Sequence, residues 1–175
     1  MGLTEFLAEH ITNLISSLGY PGVFLLMIAE SMVLPIPSEA VMPFAGFLIA
    51  SGDFTFWGVI FYSTLGSLIG SLLSYAIGRY GGQAIIAKWG KYILVHEDDL
   101  AKTRNFFQTK GDVTIFISRF IPIIRHLISL PAGLAKMNLF KFCLYTVMGA
   151  GLWNSFLTGV GFYLKNNWTK IIGYS

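Results

Sequence analysis

Long apolar runs broken by proline, with charge confined to a few places, set the pattern of this 175-residue chain. Two runs, 25 residues from Phe54 to Gly78 and 23 from Phe142 to Leu164, contain no Asp, Glu, Lys or Arg. At 1.5 Å per residue each can cross a hydrocarbon core of about 30 Å as a helix. Both predict transmembrane helices, over 54–79 and 139–165. The 13 residues from Gly22 to Leu34 and the 15 from Ser38 to Gly52 give only about 20 Å of helix each, too short to cross. A helix, a break at Pro35-Ile-Pro37 and a returning helix predict a re-entrant hairpin over 20–52. Val113 to Ile121, a break near Pro122, then Ile123 to Ala135 predict a second over 112–136. Proline removes a backbone donor and frees a carbonyl, so both breaks need protein or water around them.

The flanks read differently. Leu3, Phe6, Leu7, Ile11, Leu14, Ile15 and Leu18 recur at helical spacing opposite Glu5, Glu9, Thr12, Asn13 and Ser16, with Gly19 as a stop. Residues 1–19 thus predict an interfacial amphipathic helix. It opens with glutamates rather than the basic residues of a secretory leader, so it is expected to be retained. Residues 80–111 form the main polar stretch, with a surface helix opened by Glu97-Asp98-Asp99 and closed by Lys110 and Gly111. A short tail occupies 166–175.

Composition fixes the class: 54% hydrophobic and 12% charged residues lie far from the roughly 25% charge of a soluble domain. The expected fold is an all-α, multi-pass membrane protein. Lys and Arg concentrated in 80–111 place that stretch on the cytoplasmic side, with Lys136 and Lys141 inside and Glu5, Glu9 and Asp53 outside; Lys165 and Lys170 run against this orientation. The halves are also alike. Each has a hairpin, an Ala-Gly pair (Ala45-Gly46, Ala132-Gly133) and a span with small residues every four positions: Gly66, Gly70, Ser74 and Gly78, then Gly151, Ser155 and Gly159. An inverted-repeat-like arrangement of broken helices is the layout of many secondary transporters. The small-residue faces permit close helix packing and admit a homodimer.

Charge inside apolar runs costs roughly 2.5 to 3.5 kcal/mol per residue on insertion scales. Glu30 and Glu39 flank the first proline motif, and Arg119 and Arg125 flank Pro122. A continuous helix would turn the two arginines apart, whereas a break lets both aim at one point. Their planar donor forks suit a phosphate headgroup. The competing reading is an ion-pair network with Glu30 and Glu39, and the two are compatible if phosphate displaces a carboxylate. A desolvated carboxylate at the tip is suited to proton coupling, which nominates Glu39, then Glu30. Asp53, at a span boundary, is a third candidate against simple interfacial exposure. Trp57, Trp89, Trp153 and Trp168 read as interface or packing residues, and Asn154 as an interhelical hydrogen-bonding group.

Other chemistries find little support. A single cysteine, Cys143, and three unclustered histidines, His10, His96 and His126, predict no metal site and no cofactor. No phosphate-binding glycine loop is present, and no nucleic-acid partner is expected. Ser118-Arg119 followed by His126 approaches the SRxxxxxHxxxD signature of membrane lipid phosphatases. The histidine falls one position late and Leu130 stands near the aspartate's place, so the chain is not expected to be an enzyme. A proton or cation antiporter would use the same acids but has less need of paired arginines.

Glu30 with Pro35-Ile-Pro37-Ser38-Glu39, then Phe116-Ile-Ser-Arg119-Phe-Ile-Pro122-Ile-Ile-Arg125, Ala132-Gly133 and Met137 together resemble the bacterial DedA membrane proteins, relatives of the eukaryotic VTT-domain lipid scramblases. The resemblance spans roughly residues 15 to 165. It implies two opposed re-entrant hairpins in the bacterial cytoplasmic membrane and transport of a phosphorylated polyprenyl lipid or phospholipid, notably undecaprenyl phosphate, with proton-motive coupling through the acids. The family often has glycine two residues before the second arginine or beside the second acid. Ile123 and Ser38 stand there, which bears on substrate choice.

Overall fold

The computed structural model describes residue 11 and residues 13–32, 38–81 and 97–172; residues 1–10, the Pro35-Ile-Pro37 break and the stretch 82–96 lie outside the described residues. Among the described residues every regular element is helical. A helical segment at 13–18 ends at Gly19, whose positive φ of 67° needs glycine. Helix α1 (Tyr20–Ser31) follows, with Pro21 in its first turn where the missing amide costs nothing, and α2 (Ser38–Ser51) returns. Gly52, at φ 88°, closes α2 as the Asp53 amide donates back to the Leu48 carbonyl (3.0 Å).

Helix α3 (Phe56–Ala76) opens with Thr55 as N-cap, its hydroxyl accepting from the Gly58 amide at 3.2 Å. The Tyr20 hydroxyl accepts from the Thr55 amide at 2.8 Å, tying the start of α1 to the same corner. Beyond Ala76 the helix widens into a π turn, Ile77–Gly81. With that turn it is long and apolar enough to cross a membrane. Helix α4 (Glu97–Ser118) is continuous through Gly111. The expected cap there does not form: Gly111 is buried inside the helix, leaving room for the Met137 sulfur. The chain breaks at 119–121, restarts at α5 (Pro122–Leu127), and continues as α6 (Ser129–Leu134). Pro131 cannot donate to the Leu127 carbonyl, consistent with the interruption at Ile128 between them. Helix α7 (Leu139–Ile172) is 34 residues long, and Asn138 Oδ1 accepts from the Lys141 amide (3.1 Å) at its start.

Close contacts give the directions. Phe24 lies over Gly66, and Ile28 and Ser31 over Gly70, while the Ser74 hydroxyl donates to the Ser31 carbonyl (3.1 Å); residue numbers rise together, so α1 runs parallel to α3. Asn154 meets Ser63 and Phe142 meets Tyr75, so α7 is antiparallel to α3. Pro43 packs on Gly161 and Ser51 meets Lys165, so α2 runs with α7 and therefore opposite to α1. Asp112 pairs with Lys141 (2.8 Å) and Phe116 lies against Gly149, so α4 also runs with α7. By Met137, beside Gly111, the chain has come back through α5 and α6. The end of α1 and the break after α4 thus approach the middle of α3 and α7 from opposite ends.

Two apolar clusters bracket that middle. One gathers Ile15, Val23, Met27, Val41, Met42 and Val59; the other Tyr75, Phe107, Ile115, Met137 and Phe142. The Tyr75 hydroxyl donates to the Met137 carbonyl (2.5 Å) and accepts from Arg79 (3.0 Å), locking the turn before α7 to the end of α3.

The small-residue pattern holds on α3 and shifts on α7. Cβ atoms on Gly66, Gly70 or Gly78 would press on the backbones of α1 or α6, whereas Gly159 has open space and Gly151 only ordinary contacts. Gly149, against the Arg119 stem, and Gly161, against the Pro43 backbone, make the close crossings instead. We expect Gly161→Ala to lower stability in detergent by about 1 to 3 kcal/mol through overpacking. Gly159→Ala should be neutral or better; equal losses in thermal unfolding would contradict the assigned crossing.

Candidate functional site

Polarity in this fold is turned inward. Along α3, Ser63, Ser67, Ser71 and Ser74 are buried while Trp57, Phe61 and Leu73 are exposed. On α7, Thr146, Asn154 and Thr158 are buried while Phe140, Leu152 and Phe156 are exposed. A water-facing surface would reverse this. Ser71, Thr146 and Ser38 among the buried hydroxyls accept from the two buried arginines.

Glu30, in the last turn of α1, is 2% exposed and forms an ion pair with Arg125 of α5, itself 6% exposed. Ser31 Oγ donates to Glu30 Oε2 (3.0 Å), and Arg125 Nη2 donates to Ser38 Oγ at 2.6 Å on the first residue of α2. The Arg125 guanidinium also lies 5.7 Å from the Trp153 ring centroid. His126 Nδ1 is 3.0 Å from the Glu30 carbonyl and 3.9 Å from its Oε1. The end of α1, the start of α2 and α5 therefore meet through one guanidinium.

Arg119, in the turn after α4, is 4% exposed; its Nη2 donates to Ser71 Oγ (3.0 Å) and Thr146 Oγ1 (3.1 Å). Its Nε has no partner among the described residues, and no carboxylate there lies within ion-pair reach of it. Among the described residues two buried guanidiniums thus face one buried carboxylate, which leaves Arg119 without a charge partner there. Between them lies a cavity of about 10 Å3, lined by Glu30, Ser31, Ser67, Arg119, Arg125 and Trp153 together with Ala150 and Asn154. That is room for about one water, not for a phosphate.

The sequence-predicted residues divide accordingly. Glu30, Arg119 and Arg125 converge, and Pro122 sits at the first turn of α5, where the new helix direction begins. Glu39 is exposed on the first turn of α2, and Asp53 is exposed at the corner before α3; neither lines the cavity. The desolvation expected of Glu39 belongs to Glu30 instead, because at the start of α2 it is Ser38 that faces inward. Pro35 and Pro37 lie outside the described residues. Ser38, Ser71, Thr146 and Trp153 were not singled out as site residues by sequence reasoning. The four-residue spacing of serines along α3 was the available signal for Ser71; nothing marked Trp153 beyond its place in an apolar run. Among the described residues no group of His, Cys, Asp and Glu is arranged to hold a metal ion.

Residues 36–163 match the VTT domain family. The chain is 34% identical over 165 residues to undecaprenyl phosphate transporter A of Bacillus subtilis, covering 94% of this chain and 81% of that one. It is 37% identical over 170 residues to an alkaline phosphatase-like protein of Lactococcus lactis, covering 94% and 79%. Protein DedA of Escherichia coli is 28% identical over 162 residues, covering 88% and 74%. No solved structure matches.

Removing one partner of a buried ion pair strands the other charge, at a cost of about 3 to 5 kcal/mol. Glu30→Ala and Arg125→Ala should each destabilise on that scale, and the double variant should lose clearly less than the sum. A double-mutant cycle read by denaturation in detergent checks this. Additive losses would mean that the pair does not hold the two breaks together.

Proposed function

The chain belongs to the VTT-domain family, and from that premise we propose that it is a membrane transporter that moves a phosphorylated polyprenyl lipid, undecaprenyl phosphate, between leaflets of the bacterial cytoplasmic membrane. The observation that carries this reading is the surplus of buried guanidinium over carboxylate where the two chain breaks meet. A phosphomonoester supplies the missing negative charge and several acceptor oxygens. The relatives named as undecaprenyl phosphate transporters support the choice of lipid.

In this reading α1 and α2 form one re-entrant hairpin and α4 to α6 the other, entering from opposite faces as an inverted pair, with α3 and α7 spanning. The inward polarity and outward apolar surface of α3 and α7 suit lipid surroundings. Glu30 occupies Arg125 in the closed arrangement, standing in for the phosphate. Protonation of Glu30 releases Arg125, so that Arg119 and Arg125 together grip the headgroup as the tips part; deprotonation restores the ion pair and expels it. Glu39, exposed on the first tip, collects the proton, and Asp53 lies at the outer approach. Energy from a proton gradient is thereby linked to lipid movement.

A hydrolytic reading rests on the name of the lactococcal relatives. It requires release of inorganic phosphate, which the same assay reports. Purified protein in liposomes with labelled undecaprenyl phosphate should show leaflet exchange that a proton gradient speeds, without phosphate release. Arg119→Ala or Arg125→Ala should cut exchange at least about tenfold, the equivalent of 1.4 kcal/mol, and Lys at either place should restore only part, lacking the planar fork. Unchanged exchange in both alanine variants would remove the phosphate site.

A further inference from the structure

The cavity between the two breaks has a chemical bias that its charges alone do not express. Besides Glu30 Oε1, which is ion-paired with Arg125, two of the residues that line it carry an atom buried without a partner among the described residues: Arg119 Nε and Trp153 Nε1. Both belong to groups that donate hydrogen bonds and cannot accept them. The two residues come from different elements, the turn after α4 and the middle of α7, and line the same space. An indole confined to packing would bury its carbon edge and place its N–H on a carbonyl or in solvent. Here the ring edges onto Phe120 (centroids 6.2 Å apart) and tilts against Phe156 (5.9 Å), while its N–H is buried without a partner among the described residues.

We propose that Trp153 is a direct binding residue for the lipid phosphate, its indole N–H donating to a phosphate oxygen beside Arg119 Nε while its ring face holds the Arg125 guanidinium. This rests on the phosphate-site reading above and adds a third donor to it. The double use has a physical logic. When Glu30 leaves Arg125, the guanidinium loses its charge partner but keeps the aromatic face 5.7 Å away, so its position is preserved for the incoming headgroup. A neutral donor beside two guanidiniums adds a directional bond without adding positive charge that the empty site would have to bury.

Trp153→Phe separates the roles, because it keeps an aromatic face and removes only the N–H. The concentration of undecaprenyl phosphate giving half-maximal exchange in liposomes should rise about tenfold, with the maximal rate and the melting temperature in detergent little changed. In a chain carrying Trp57→Phe, Trp89→Phe and Trp168→Phe, Trp153 is the one indole left, and its emission should shift with undecaprenyl phosphate but not with undecaprenol. Wild-type saturation in Trp153→Phe, with exchange lost in Arg119→Ala, would overturn the Trp153 assignment and leave the phosphate site standing; its N–H would then meet an ordered water only. Normal exchange in Arg119→Ala and Arg125→Ala would fail the underlying reading. Should Trp153→Phe prove unstable, the emission comparison decides: equal responses to the phosphate and the alcohol overturn the proposal.

Discussion

A buried ion pair between Glu30 and Arg125 is the contact on which the rest of this molecule is arranged. It joins the end of α1 to the start of α5, and through Ser38 it also takes hold of α2. Neither charge could remain alone in that place. Such pairs add little net stability over an apolar substitute, because desolvation consumes most of their attraction, but each partner makes the other indispensable. What the pair supplies is position: two interrupted helices that could close on many apolar surfaces are held where their charges meet.

The supporting structure follows from that constraint. Backbones must come close for short side chains to reach across, and glycines at 66, 70, 149 and 161 permit it. Hydroxyls must line the interior, because guanidiniums need acceptors where water is scarce, and Ser71 and Thr146 supply them for Arg119. The apolar residues displaced from the interior appear on the outside. Only in contact with lipid does that outside have a low cost.

Much of this was legible in the sequence because helix length and proline placement are local properties. The break near Pro122, the antiparallel return of α2 and the convergence of the two arginines all follow from run lengths and charge spacing. Helix rotation is not local. Gly159 and Gly161 look equivalent as small residues, yet two positions correspond to about 200° around the axis, and only Gly161 meets a neighbour. The same uncertainty of phase gave Glu39 the buried role that Glu30 holds. Gly111 was misread as a cap because its reason for being glycine, the Met137 sulfur, is distant in sequence. Trp153 was unreadable for a related reason: an aromatic residue in an apolar helix has a packing use wherever it points, and the burial of its nitrogen without a partner among the described residues is visible only in the fold.

If Glu30 stands in for the phosphate, it competes with the lipid for Arg125, and that competition can be measured at equilibrium. Affinity of the purified, folded protein for undecaprenyl phosphate in detergent micelles should be compared between wild type and Glu30→Gln, which keeps the shape and removes the charge. Tighter binding in Glu30→Gln, by about tenfold or more, is the predicted result. Equal or weaker binding would contradict a site opened by exchanging one anion for another.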